Sequence, residues 1–172
     1  MAIAQRPRAL DTIVYGGLTV GLLDACDATV FFGALGVPPD RIAKHVASGL
    51  LGPASFDGGA ATIALGVVLH VTVAICIATT FYLLSSRIPA LVAHPVIGGL
   101  GFGVAAYFVM GHVVVPLSRV RMSNSPFSLP VFVNGVVGHA VLIGLPIALF
   151  AARSARRRFA APAPVTSVAA FR

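Results

Sequence analysis

Apolar residues run along this chain in four long stretches separated by short polar breaks. The stretches lie at about Thr12–Leu35, Ala60–Leu84, Val96–Leu117 and Val131–Ala152. A bilayer core about 30 Å thick needs roughly 20 mainly apolar residues to be crossed by a helix. Four such runs cannot close a barrel, and a helix satisfies its own backbone in lipid. The pattern therefore predicts an all-α protein, an integral membrane four-helix bundle. The first run is read as a retained helix. It is long, it carries Asp24 and Asp27, and no small-residue cleavage pattern follows a short apolar core.

The breaks are short. Arg119 to Pro130 holds Ser123, Asn124, Ser125, Pro126 and Pro130, and reads as an irregular outer loop. The first outer loop, Gly36 to Gly59, is longer. After Pro38-Pro39-Asp40 it continues from Arg41 to Leu51 with Gly49 as its one breaker. Asp40 is placed to cap a short helix of about residues 40–51. Ile42, Val46 and Leu50 share one face of it, which predicts an amphipathic helix at the outer membrane surface. It would serve as a structural cover or as a lid that gates a solute. The tail 153–172 is basic and ends Ala/Pro-rich, so it is expected to be disordered beyond a membrane domain of residues 1–152.

Composition agrees with the pattern. Of 172 residues, 58% are hydrophobic and 10% charged, with a mean hydropathy of +0.96. A soluble domain carries about a quarter charged residues. A secreted disulfide scaffold, a disordered protein and an ordinary cytosolic enzyme are excluded on that ground. The net charge of +7 could point to nucleic acid. Its distribution points instead to topology. One side of the four predicted helices holds Arg6, Arg8, Arg87, Arg153, Arg156, Arg157, Arg158 and Arg172. The other holds Arg41, Lys44, Arg119 and Arg121. The excess predicts that both termini are cytoplasmic. The bilayer is then the expected partner, with a homo-oligomer or larger membrane complex beside it and no nucleic acid.

Two strings recur in order. Gly16 to Gly21 and Gly98 to Gly103 both read GGLxxG. Gly66 to His70 and Gly135 to His139 both read GVVxH. The offsets are 82 and 69 residues, which suggests two repeated helical hairpins. Gly17 and Gly21, like Gly99 and Gly103, are four apart, and small residues at that spacing let helices approach closely in lipid. They are expected to pack the first helix against the third. A homodimer interface is the alternative.

Charged residues inside a membrane are costly and face protein. Asp24 and Asp27 are three apart on one helix face, continued by Gly17, Gly21 and Ala28. At a rise of about 1.5 Å per residue, Asp27 lies about 12 Å from the outer end and Asp24 about 16 Å. His70, His139 and His112 fall at about 15, 12 and 8 Å on the same measure. Five ionisable residues from four helices thus share one layer, with Asn134 and Thr62 nearer the outer mouth. Four readings fit it: interhelical hydrogen bonding, a proton or small-solute path, a metal site resting on His70 and His139, and a bis-His haem between those two. Composition names no cofactor. Cys26 and Cys76 lie at different depths and are expected to be small packing residues. The sequence contains no glutamate, no G-x-S-x-G, no H-E-x-x-H and no phosphate loop. Enzymatic chemistry is not expected.

The order of parts resembles the YagU-like group of small bacterial inner-membrane proteins. The resemblance rests on Leu69-His70, Val115-Pro116-Leu117 and Gly138-His139. It rests also on Ala47-Ser48-Gly49-Leu50-Leu51-Gly52 with Phe56-Asp57-Gly58-Gly59. It covers most of the membrane part and implies at most proton-related, stress-linked physiology. It brings no binding or catalytic residues, and the Asp24/Asp27 pair is not carried by it. The expected function is an accessory or stress-related membrane protein. A proton, metal or small-solute transporter using Asp24, Asp27, His70, His112 and His139 is the alternative, and a haem-binding electron carrier a third.

Overall fold

The computed structural model describes residues 7–121 and 126–160, the last four of these by backbone alone. Six helices form, and among the described residues there is no strand. In chain order, α1 is Asp11–Ala34, α2 is Pro39–Leu51 and α3 is Ala60–Arg87. Then come α4, the single turn Ala90–Ala93, and α5, Pro95–Leu117. The last, α6, is Leu129–Arg156, its backbone staying helical to Ala160. Of these, α1, α3, α5 and α6 are long and apolar enough to cross a membrane. Their outward faces carry bare aliphatic side chains, such as Ile97 at 78% exposure and Val30 at 73%. Water would not tolerate such a surface, and hydrocarbon does. The chain is a membrane protein built as a four-helix bundle.

The ends of the bundle differ in packing. The Arg8 N–H donates to Ser154 Oγ at 3.0 Å, so both described ends of the chain meet at one end of the bundle. At the other end, the Arg119 N–H donates to the Gly49 carbonyl at 2.9 Å and ties α2 to the chain leaving α5. The core lies toward the end that carries the termini. Val20, Ala78, Phe81, Ile147, Ala148 and Ala151 are all fully buried there. Phe81 meets Phe102 edge-on at 5.0 Å between ring centres. The many alanines let the helices close up. Toward α2 the bundle opens instead.

The sixth helix outlasts its expected end at Ala152. Arg and Ala are strong helix formers, and Ala155 is fully buried. The expected tail from residue 153 therefore begins as helix, and 161–172 lie outside the described residues.

The glycine pairs pack differently from expectation. Gly17 and Gly21 lie on α3, and Gly99 and Gly103 lie on α6; the pairs do not join the first membrane helix to the third. A Cβ on Gly17 would stand 3.1 Å from the Ile75 Cα, and one on Gly21 3.1 Å from the Ala74 Cβ. A Cβ on Gly99 would stand 2.8 Å from the Gly144 carbonyl oxygen, and one on Gly103 would collide with the His139 carbonyl. Each pair therefore closes its own hairpin, α1 with α3 and α5 with α6. The contacts follow the sequence repeat. Gly17 on Ile75 matches Gly99 on Gly144, and Gly21 with His70 matches Gly103 with His139, at the same 82- and 69-residue offsets.

Two of the prolines sit just after widened turns. Pro116 follows the π-helical turn Met110–Val114, and Pro146 follows His139–Gly144. A proline lacks its N–H and crowds the carbonyl four residues back, and a wide turn there relieves both. α6 consequently runs through Pro146, while α5 ends one residue past Pro116.

Asp40 does not cap α2. Pro38 stands at that position, Pro39 opens the helix, and Asp40 sits in its first turn. There Asp40 pairs with Lys44 at 3.4 Å, one turn on. The inward face of α2 is Ile42, Ala43, Val46 and Ala47. Leu50 is 53% exposed and lies off that face. Positive φ at Gly36 (84°) and Gly52 (66°) makes the two corners that turn the chain into and out of α2.

Candidate functional site

Asp24 and Asp27 stand two-thirds of the way along α1, about 60° apart around the helix by its 3.6-residue turn. That angle divides them between two neighbours. Asp24 turns to α3, where its Oδ2 is 3.9 Å from His70 Nε2. Asp27 turns to α6, where its Oδ2 accepts a hydrogen bond from Asn134 Nδ2 at 2.9 Å. Gly138, one turn after Asn134, leaves room for that carboxylate, since a Cβ there would be 3.3 Å from Oδ2.

The histidines are held by backbone carbonyls. A carbonyl only accepts, so each ring nitrogen facing one must carry the proton. The His70 Nε2–H donates to Gly21 O at 2.8 Å, a bond between α3 and α1. The His139 Nδ1–H donates to Gly135 O at 2.9 Å, and Tyr107 stands edge-on to its ring at 5.4 Å. Asp24 lies within electrostatic range of His70, His139 and Asp27. Four of the five expected residues thus gather around α1. His112 does not. It is exposed on the outside of the bundle and bonds its own helix, Nδ1–H to Phe108 O at 3.0 Å.

Asn134 is the group that sequence reasoning undervalued. Its depth alone puts it near the mouth, yet it is the direct partner of Asp27. The usable signal is its spacing of four from Gly138, which puts both on one face of α6. Cys26 and Cys76, expected to pack, are both exposed instead.

Above Asp24 lies a cleft of about 820 Å³ between α1, α2 and α3. Its volume is that of a pocket for a drug-sized molecule. Helical spacing explains the walls. Asp24, Ala28 and Phe32 succeed one another on α1, as do Ile63, Gly66, Val67 and His70 on α3. Gly66 is the seat of α2: a side chain there would collide with the Ala43 carbonyl, so glycine lets the two backbones meet. Seated so, α2 lays Ile42 and Val46 over the opening. Arg41 and His45 stand at the mouth, the Arg41 guanidinium 5.5 Å above the Phe56 ring. Desolvation among these apolar neighbours holds the His45 pKa below the ordinary imidazole value of 6.5.

The Asp24 side chain is 28% exposed and opens on this cleft. Among the described residues no hydrogen-bond donor reaches its carboxylate. Also among the described residues, no three His, Cys, Asp or Glu side chains gather as metal ligands would. His70 offers no free Nε2 to a haem iron, because that nitrogen is the donor to Gly21. The arrangement can hold helices together, and it can present one acceptor-rich carboxylate at the base of an apolar cavity. No protein-family model, curated protein or solved structure matches the chain.

Proposed function

We propose that this membrane protein works without enzymatic chemistry and receives a small solute in the cleft under α2, with Asp24 and His70 as the polar base. The observation that carries the reading is a cavity of about 820 Å³ with apolar walls that ends on a half-open carboxylate. Ligand sites are typically this kind of place, mostly apolar with a few directed polar groups. Intramembrane carboxylates are themselves markers of solute or proton paths. Of the transport readings, the small-solute one has the cavity in its favour. α2 is then the cover of the site, and the Asp27–Asn134 bond holds α1 against α6 beside it.

The wider setting belongs to the same proposal. The excess of arginine at the terminal-bearing end supports both ends in the cytoplasm, and the likeness to YagU-like proteins supports a bacterial inner membrane. The likeness to YagU-like proteins supports an accessory, stress-linked role there. The bilayer is the proposed partner. A homo-oligomer or larger complex would use a face other than the two glycine pairs, which are taken up inside the hairpins.

Filling the cleft tests the reading. Binding of small solutes to purified protein in lipid nanodiscs is measured with wild type and with Ala28→Phe, which places a ring between α1 and α3. Loss of binding with an unchanged circular dichroism spectrum is expected. Equal binding by both proteins would overturn the cleft as the site.

A further inference from the structure

The cleft also specifies what kind of solute it would take, an inference that rests on the reading above. Its base is a carboxylate. Ionised, Asp24 offers about four lone-pair positions and no donor. Its nearest nitrogen, His70 Nε2, is 3.9 Å away, beyond hydrogen-bond range, and its proton is directed to the Gly21 carbonyl at 2.8 Å. Asp27, a second carboxyl group nearby, is served by Asn134. His70 and His139 direct the ring N–H groups that face Gly21 and Gly135 to those carbonyls. Among the described residues, the base of the cavity therefore directs no donor at Asp24.

The walls are mainly apolar; Thr29 is the polar side chain on the α1 wall, and its hydroxyl donates to the Ala25 carbonyl at 2.7 Å. Ile63, Val67, Ile42, Val46 and Phe32 enclose the space above Asp24. At the mouth Asp40 is paired with Lys44, and Arg41 lies against the Phe56 face. A positive rim of this kind disfavours a ligand with a second cationic group at its outer end.

We infer that the cleft binds an organic monocation: a protonated amine at Asp24, carried on a compact apolar body that fills the space up to Phe32 and Val46. An ammonium supplies up to three donors and a positive charge in one group. A charge-assisted hydrogen bond to a carboxylate is roughly twice as strong as a neutral one. An alcohol of the same shape brings one donor and no charge. A carboxylate of the same shape brings like charge to Asp24.

The test uses 1-aminoadamantane, 1-adamantanol and 1-adamantanecarboxylate, which share a rigid body. Binding of each is measured at neutral pH to the full chain in nanodiscs of uncharged lipid, with empty nanodiscs subtracted. The amine should bind at least about tenfold more tightly than the alcohol, the step expected of about 1.4 kcal/mol. The carboxylate should not bind. Asp24→Asn should bring the amine down to the affinity of the alcohol. Equal affinity of amine and alcohol in the wild type would overturn the inference while leaving the cleft as a solute site, and that comparison needs no variant. Amine affinity unchanged in a folded Asp24→Asn protein would also overturn it. If none of the three binds, the inference falls together with the reading on which it rests.

Discussion

His70 gives its Nε2–H to the Gly21 carbonyl at 2.8 Å and leaves the Asp24 carboxylate, one turn up α1, at 3.9 Å. One imidazole therefore joins α3 to α1 while the acid beside it stays open to the cleft. The bond is structural and the acid is available. Substituting the ring separates these two roles. His70→Ala removes a hydrogen bond between membrane helices, worth roughly 0.6 to 2 kcal/mol in such settings. Chemical denaturation in detergent should show a loss of about that size.

The α5–α6 contact has no spare room. A Cβ on Gly103 would collide with the His139 carbonyl, whereas one on Gly101 meets nothing within 4 Å. Gly103→Ala should cost about 1 to 3 kcal/mol through overpacking, and any methyl-driven shift must part the two helices. Gly101→Ala, two residues away, should be neutral or slightly stabilising. Melting temperatures of the two variants decide it, and equal melting would contradict the packing described.

Asn134 serves Asp27 from the neighbouring helix at 2.9 Å. Asn134→Leu strands that carboxylate without its donor, at a cost of about 1 to 3 kcal/mol. Removing both partners by combining Asn134→Leu with Asp27→Leu should cost less than the sum of the single changes. A double-mutant cycle of unfolding free energies measures the coupling. Full additivity would mean that the two side chains do not interact.

The His45 ring gives α2 a pH dependence. Its folded pKa lies below the ordinary 6.5, so the unfolded chain binds the proton first as the pH falls. The stabilising contribution is complete above 6.5 and is lost as pH falls through the folded pKa. The residue is partly open to solvent, so the effect is small. Hydrogen-exchange protection across Asp40–Leu51, corrected for the intrinsic exchange rate at each pH, should fall modestly between pH 7.5 and 5 in wild type and not in His45→Gln.

The membrane helices are legible in the sequence because length and hydropathy are local properties. Partners are not. The spacing of Gly17 and Gly21 defines a face, but it does not say which helix lies on that face; the third membrane helix is the expectation and α3 is there. Asp24 and Asp27 do share α1, yet an offset of about 60° sends them to different helices. His112 is exposed on the outside of the bundle and bonds its own helix, which its depth alone does not announce. The cleft is not legible at all. It exists because α2 sits on Gly66, and no spacing within α2 or α3 alone announces that contact.

The central claim is that a solute sits between α1, α2 and α3 above Asp24. Cysteine protection measures this directly. In a background carrying Cys26→Ala and Cys76→Ala, one cysteine is placed in the cleft by Ala28→Cys and another away from it by Gly101→Cys. Each is labelled by a small thiol reagent in nanodiscs, with and without 1-aminoadamantane. Slower labelling at Ala28→Cys alone when the amine is present is the predicted result. Labelling at both positions that is indifferent to the amine would contradict the account.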